Sequence, residues 1–511
     1  MKSILLLLAF LFFLFPLFAQ ITFQKFYGGN NSDDGAVVRQ TSDGGYMLAG
    51  TITSSVGNSD FSVVKTNATG DIQWSESYGT GWMEQLSDAT PTSDGGYIAC
   101  GIRYDTLFNW LTYVVKINSD GTLNWSRCYN SSTSLDYPSI KETNGGYILY
   151  CTRDSVPPTS GPIPSAMKIS YTGLIIWNKI FGLVYDIVPV ASGYAALCRH
   201  ADSTGQDLAL VMLDSNGTVQ WSKAYDGPDF TIPRRIIACA NGDLILSGSK
   251  EQATFSHIFI IRVTAAGNIL WSRSYSSALS VLININDIRE DTAGNFLVAA
   301  TFWALNNGIG MMLSSNGQVI FANRYGGNTY TQIISADVAN DAGCVFAGSI
   351  HSSATPSDTM SMYFVKTDNT GNSGCGDLAV PVIANMEFCT AYSILKNSLD
   401  VGTMHAVSTN TGLSVTAGDV CVVGINDAAE NGGVSVFPNP FSGNFTINLS
   451  QSEKGSQKEL FLYDVYGNVV RRVTFCSDML IVQGADLASG LYFYLVEADG
   501  KMTGFGKVIA Q

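Results

Sequence analysis

Charge, histidine and proline are scarce in this chain. Only 14% of its residues are Asp, Glu, Lys or Arg, with four histidines and 14 prolines among 511 positions. His200, His257, His351 and His405 stand far apart and none has metal-ligand spacing, and there is no Gly-x-Ser-x-Gly elbow. A zinc site or a hydrolase triad therefore has no support, and no catalytic residue, metal or cofactor reads from the sequence. The ten cysteines include no CxxC or CxxCH, which removes the common redox, zinc and haem signatures. A formal net charge of −14 argues against nucleic acid as a partner and reads as solubility. Beyond the N-terminus no apolar run is long enough to span a bilayer, so no transmembrane segment is expected in the mature chain.

What is present begins with residues 1–19, one lysine and then an apolar run closing on Ala19. This is the layout of a secretory signal peptide. The run Ile4–Ala19 is shorter than the ~20 apolar residues of a spanning helix, and no lipobox cysteine follows, so cleavage is favoured over anchoring. Export permits disulfides. Cys100, Cys151, Cys198 and Cys344 sit in apolar strand-like runs, where cysteine is usually a small buried hydrophobe. Cys375, Cys389 and Cys421 occupy an irregular stretch with room for one disulfide, whose pairing the sequence leaves open.

Glycine is abundant, at 51 residues, and it recurs with a period of roughly fifty residues, in the range of propeller blades. One landmark is a glycine-rich turn ending at Tyr46, Tyr97, Tyr147, Tyr194, Leu244, Phe296 and Cys344. A second, Gly-x-x-x-Trp, ends at Trp74, Trp125, Trp177, Trp221, Trp271 and, with Phe for Trp, Phe321. The two series interleave. AVVRQT-SDGG-YMLAGTI and FSVVKT-NATGD-IQWSESY each read as two strands joined by a turn that needs positive φ, so each unit is a four-stranded meander. The seventh unit lacks its last strand, and ITFQKFYGG at the N-terminus supplies one, with Phe23 in the Trp slot. The expected fold is all-β: a seven-bladed β-propeller over 20–376, closed by pairing Ile21–Tyr27 with a strand around Ser361–Thr367. Residues 377–433 read as a connector with room for further strands, and 434–511 as a small immunoglobulin-like β-sandwich.

Three resemblances follow from these motifs. The Gly-x-x-x-Trp strand resembles the tryptophan-docking repeat of pyrroloquinoline-quinone dehydrogenases, without the vicinal cysteines or haem motif, which implies a structural role for these tryptophans. More broadly the units look like the uncharacterised seven-bladed repeats of exported bacterial proteins. The SDGGY turns are not sialidase Asp-boxes, which need Ser-x-Asp-x-Gly-x-Thr-Trp. The C-terminal segment resembles the type A sorting domain of the Bacteroidetes type IX secretion system. That likeness rests on Pro438-Asn439-Pro440, Leu462-Tyr463-Asp464 followed by Gly467, Ser489-Gly490-Leu491-Tyr492, and Lys507-Val508-Ile509. It implies the type IX machinery as partner and a secreted or outer-membrane-surface location.

Function is read from the loops. The turns within each hairpin on one face are short and alike, whereas the loops of the other face vary, and internal variation on a fixed frame is where specificity resides. Trp82, Tyr104, Phe108 and Trp110 in unit 2 and Trp303 in unit 6 are expected there, suited to stacking on a glycan or anchoring a protein ligand; packing among neighbouring loops is the competing role. Asp105-Thr106-Leu107, Asp154-Ser155-Val156 and Asp358-Thr359-Met360 resemble the Bacteroidetes O-glycosylation acceptor. Two function classes stay open. One is a secreted or surface binding module, adhesin-like and without catalysis, which is favoured; the other is a secreted hydrolase or other propeller enzyme acting on a polysaccharide or peptide through channel carboxylates.

Overall fold

The computed structural model describes residues 20–510 apart from 29–31, 54–57, 81, 105–109, 131–135, 153–165, 202–205, 227–230, 253–254, 278–282, 303–306, 328, 352–359, 388, 395–398, 401–403, 407–415, 424–433, 440, 442, 450–457, 465–468, 485 and 499–500. The chain divides into two compact units, Met1–Val423 and Gly424–Gln511. The signal-peptide segment and the three acceptor-like triplets, but for Met360, lie outside the described residues.

Among the described residues of the first unit, seven antiparallel sheets are formed. Sheet 1 runs Asp34–Gln40, Tyr46–Thr53, Ser59–Thr66, Ile72–Tyr78; sheet 2 begins at Glu84–Pro91, sheet 3 at Asp136–Thr143, sheet 4 at Leu183–Val190, sheet 5 at Thr231–Ala238 and sheet 6 at Ile283–Glu290. Sheet 7 is Thr331–Val338, Cys344–His351, Met360–Lys366 and, from the other end of the sequence, Thr22–Gly28. That strand pairs in register Phe23↔Lys366 to Tyr27↔Met362.

Local chemistry fixes each hairpin. In sheet 1 the Asp43 carboxylate accepts from the Thr41 hydroxyl (2.5 Å) and the Gly45 N–H (3.1 Å), while Lys65 Nζ lies 2.8 Å away. Against the upward push of partial burial, these partners hold Asp43 down at about 2. The clasp recurs as Lys116–Asp94, Arg262–Asp243 and Lys366–Asp341.

Among the described residues no single sheet has a core of its own. Seven clusters of buried apolar residues each straddle one junction between consecutive sheets, including sheet 7 to sheet 1, where Phe23, Tyr27 and Phe364 meet Val38, Tyr46 and Leu48. The first strand of each sheet packs against the first strand of the next, and Thr331–Val338 packs against Asp34–Gln40.

The tryptophans complete the junctions. A Cβ on Gly121 (φ +86°), in the last hairpin of sheet 2, would meet the Trp74 ring of sheet 1 at 3.0 Å, so only glycine lets the indole lie on that turn. Four residues after Trp74, Tyr78 donates its hydroxyl to the Gly121 carbonyl (2.5 Å). The same tyrosine bond joins Tyr27 to Gly70, Tyr129 to Gly173, Tyr225 to Gly267, Tyr275 to Gly317 and Tyr325 to Gly371. Sheet 3 has Phe181 at this register and cannot make it.

Residues after Gly376 continue this unit up to Val423. Leu378–Ala379 adds a fifth strand to sheet 6, Val382–Met386 to sheet 5, Thr390–Ser393 to sheet 4, Leu399–Asp400 to sheet 3 and Met404–Ala406 to sheet 2. Thr416–Val423 then pairs with Thr22–Gly28. The stretch read as a connector thus runs backwards along the sheets as a belt of edge strands, which periodicity does not carry because its first five pieces, two to five residues each, are too short to show a pattern. Cys375 is disulfide-bonded, whereas Cys389 is outside any disulfide.

The second unit holds a three-stranded sheet (Val434–Phe437, Asn444–Leu449, Met479–Gln483) and a four-stranded one (Val469–Phe475, Lys458–Tyr463, Gly490–Ala498, Lys501–Ala510). Both contribute to one core around Phe441, Phe445, Leu460, Leu462, Val496 and Val508.

Phe23 is fully buried between sheets 7 and 1. Phe23→Ala is expected to cost about 3–5 kcal/mol in urea unfolding. A chain starting at Asn30 should lose both edges that Thr22–Gly28 pairs and melt at least about 5 °C lower than one starting at Gln20. Equal melting temperatures would contradict this role.

Candidate functional site

Two places gather chemistry. The first is where the inner strands converge. Each carries a register shift in its first half, and the residue just past it is Asp88 in sheet 2, Asp186 in sheet 4, Arg235 in sheet 5 and Asp287 in sheet 6. With Arg39, Lys141 and Arg289 they line a cavity of about 20 Å³, room for about one water.

Every aspartate there is already engaged by the next sheet. Asp88 accepts from its neighbour Ala89 N–H (2.9 Å) and from Ile140 N–H of sheet 3 (3.2 Å). Asp186 accepts from Lys141 Nζ (2.6 Å), Tyr150 hydroxyl (2.5 Å) and Ile236 N–H of sheet 5 (2.9 Å). Asp287 accepts from Ile288 N–H (3.0 Å) and from Ala336 N–H of sheet 7 (3.2 Å). In sheet 7, Asp337 bonds Gln40 N–H of sheet 1 (2.9 Å). Burial pushes Asp287 upward, but Arg289, Arg39 and Arg235 outweigh it and hold the carboxyl at about 2. Burial likewise opposes the Arg235 charge, and Asp287 and Asp186 carry it above the ordinary arginine value. Arg39 goes the other way, lowered by burial and by Arg289. A carboxylate this acidic, with both oxygens occupied, is a poor general acid or base near neutral pH. What the arrangement does is stitch one sheet to the next.

The second place is the variable-loop end of sheet 2. Trp82 (42% exposed) and Met83 (50%) precede the inner strand, and Met83 accepts from Tyr104 N–H (3.0 Å). Tyr104 is half-buried and faces Trp110 across the hairpin of Tyr97–Tyr104 and Trp110–Ile117. The structure therefore gathers Trp82, Tyr104 and the backbone of Trp110 at one end of one sheet. Phe108 and Trp303 lie outside the described residues.

Beneath these aromatics is a pair that sequence reasoning missed. Glu84 is fully buried, with Arg103 Nε 3.3 Å from Oε1, while Thr80 Oγ1 hydrogen-bonds that oxygen and accepts from Arg103 Nε (2.8 Å). Its other oxygen, Oε2, has no partner among the described residues. Burial first, and then Asp60, push the carboxyl up to about 7 against Thr80 and Arg103. A glutamate two residues after a tryptophan carries no signal of this in sequence. The stitching aspartates do carry one, since LSDA, VYDI and INDI align at the same place in the repeat.

In the C-terminal unit, Asn439 joins the Pro-Asn-Pro segment to the closing strand: its Nδ2 donates to Lys507 O (3.1 Å) and Ile509 N–H donates to its Oδ1 (3.0 Å). Pro438 is exposed, Gly490 opens the strand that pairs with the closing one, and Lys507 lies opposite Phe493. Pro440 and Gly467 lie outside the described residues. Among the described residues no group of three His, Cys, Asp or Glu is placed to hold a metal, and no helix is long and apolar enough to cross a membrane.

Asp287→Ala leaves three guanidinium groups short of a counter-charge and should destabilise by about 3–5 kcal/mol. Because the folded carboxyl is depressed, its contribution is present above pH 3.8 and lost as pH falls through about 2. Glu84 has the opposite sign: its folded value is raised, so its stabilisation is present below about 4.5 and lost as pH rises through about 7. Glu84→Gln should therefore gain about 1–3 °C in melting temperature relative to wild type between pH 5 and pH 8, and a constant difference would refute this.

No curated protein sequence matches the chain. Solved structures similar to parts of it include a mutant puromycin hydrolase complexed with PGG, at 11% identity and TM-score 0.37, covering 63% of this chain and 51% of that one. This chain thus spans about half the length of that protein. A subtype N10 neuraminidase-like protein of A/little yellow-shouldered bat/Guatemala/060/2010 is similar at 10% and 0.31 (57% and 96% covered). Trypanosoma rangeli sialidase in complex with sialic acid is similar at 11% and 0.34 (94% and 88%). Scores this low carry no argument about activity. The specific match lies in the second unit, where residues 435–511 match the family described as "Secretion system C-terminal sorting domain", so the chain carries a type IX sorting domain and is exported to the cell surface or beyond it.

Proposed function

We propose that the chain is a seven-bladed β-propeller, closed by its N-terminal strand and followed by an immunoglobulin-like sorting domain, that works as an exported binding module of adhesin-like character. On this reading residues 1–19 are removed at the inner membrane, 20–423 form the propeller with its belt, and 434–511 engage the type IX machinery through the segment Pro438–Pro440, Gly467, Gly490 and Lys507. The ligand is a glycan or a protein surface met by Trp82, Tyr104, Phe108, Trp110 and Trp303.

One observation carries the choice of binding over catalysis. The acids at the centre are bonded to the neighbouring sheets and enclose only about 20 Å³, while the variable-loop end of sheet 2 presents Trp82 and Met83 to solvent. A hydrolase working through central carboxylates would need free, near-neutral acids around a substrate-sized cleft.

A glycan array and a turnover screen on the purified mature protein separate the two classes. Binding without turnover is expected, with Trp82→Ala lowering affinity by about tenfold or more while the melting temperature stays within about 1 °C. Turnover abolished by Asp186→Asn in a variant that still folds would favour the enzyme reading. Deleting 434–511 should leave the first unit folded and retained in the periplasm; equal release into the medium would refute the role given to the tail.

A further inference from the structure

The turn face carries the same inter-sheet groove twice, with opposite chemistry. Between sheets 1 and 2 it measures about 390 Å³, and between sheets 4 and 5 about 460 Å³, both within the range of small-molecule sites. The repeat puts the two linings in register. Lys65, opposite Trp74, becomes Met212, opposite Trp221. Thr92 becomes Cys239, Ser119 becomes Ala265, and Tyr97 becomes Leu244. The turn Ala191–Gly193 has no carboxylate in place of Asp43. Among the described residues, no charged side chain lines the second groove. Burial and the nearby Glu290 push the Cys239 thiol up to about 12, which keeps it neutral.

Met212 and Leu244 pack in the core cluster of this junction, but the junction between sheets 1 and 2 packs with the polar set, so burial of a junction does not by itself call for the apolar one. What they remove also indicates what would fit. At four junctions the tryptophan faces an aromatic ring: Trp74–Tyr97 at 5.7 Å, Trp125–Tyr147 at 6.5 Å, Trp177–Tyr194 at 5.8 Å and Trp271–Phe296 at 6.3 Å between centroids. Trp221 packs instead in the cluster that contains Leu244 and Met212. The groove is therefore short of one ring, and a carboxylate beside its wall, Glu290, is engaged by the Ala240 N–H (2.7 Å) and lies beside Cys239, which disfavours an anionic ligand.

We propose that the groove between sheets 4 and 5 is a binding site for a small, uncharged aromatic molecule, whose ring lies against Leu244 and Met212, where the repeat has lost the ring that Tyr97 supplies between sheets 1 and 2. Cys239 and Met212 supply polarisable walls, and the Ser192 hydroxyl is the polar group at its rim. This site is on the short-turn face and does not depend on the loop aromatics of sheet 2.

The test titrates mature full-length protein with p-cresol, followed by saturation-transfer NMR and melting temperature, with benzoate and cyclohexanol as controls. Saturable binding of p-cresol with a rise in melting temperature is expected, and weaker binding of both controls. Leu244→Tyr, which restores the ring, should weaken p-cresol at least about tenfold, and Tyr97→Leu should leave it unchanged. The double variant Cys239→Thr/Ala265→Ser restores polar groups with little change in volume and should also weaken binding, so a misfolded Leu244→Tyr does not remove the test. Absent binding, equal binding of benzoate or cyclohexanol, or p-cresol affinity untouched by the folded variants overturns the proposal.

Discussion

A four-stranded antiparallel sheet with apolar residues on both faces can bury them only against other sheets. Everything in the first unit answers that constraint. Its core is distributed over junctions, so stability depends on how each sheet meets the next. All but the junction between sheets 3 and 4, where Phe181 replaces the tyrosine, share one device: an aromatic ring over a positive-φ glycine, with a tyrosine hydroxyl on that glycine's carbonyl. Inside, carboxylates of one first strand cap the N–H groups of the next. Outside, belt strands cover edges that would otherwise present unpaired backbone groups.

The same constraint separates structural from recruitable side chains. Trp74, Trp125, Trp177 and Trp271 are committed to junctions, as are the central aspartates. Two groups depart from the repeat: the aromatics beside Glu84 and Arg103 in sheet 2, and the apolar replacements around Leu244, which still pack the junction between sheets 4 and 5. In both places the repeat is broken without harm to packing, and such breaks are where a symmetric scaffold acquires function.

Legibility followed from what leaves a periodic mark. The hairpins were visible because Gly44 and its counterparts need positive φ, and the partner of Thr22–Gly28 because Phe23 and Tyr27 fall at the spacing of Trp74 and Tyr78. The tail was visible because several short motifs occur in one order. Glu84 was hidden, since its burial and its unpartnered oxygen depend on Thr80, Arg103 and Asp60 arriving from separate strands and loops. The belt was hidden because pieces such as Leu399–Asp400 and Met404–Ala406 take their strand character from the edge they join.

The sequence by itself determined the all-β class, the fifty-residue unit, the export label and the structural duty of the tryptophans. Each depends on residue identity at fixed spacing, and local backbone chemistry turns spacing into turns and strands. Only the tertiary structure decided which acids are spent on stitching, that residues 378–423 belong to the first unit, and that one inter-sheet groove is apolar where its counterpart is charged. Those are properties of neighbours brought together across tens or hundreds of residues, and desolvation and hydrogen bonding depend on such neighbours and not on position in the chain.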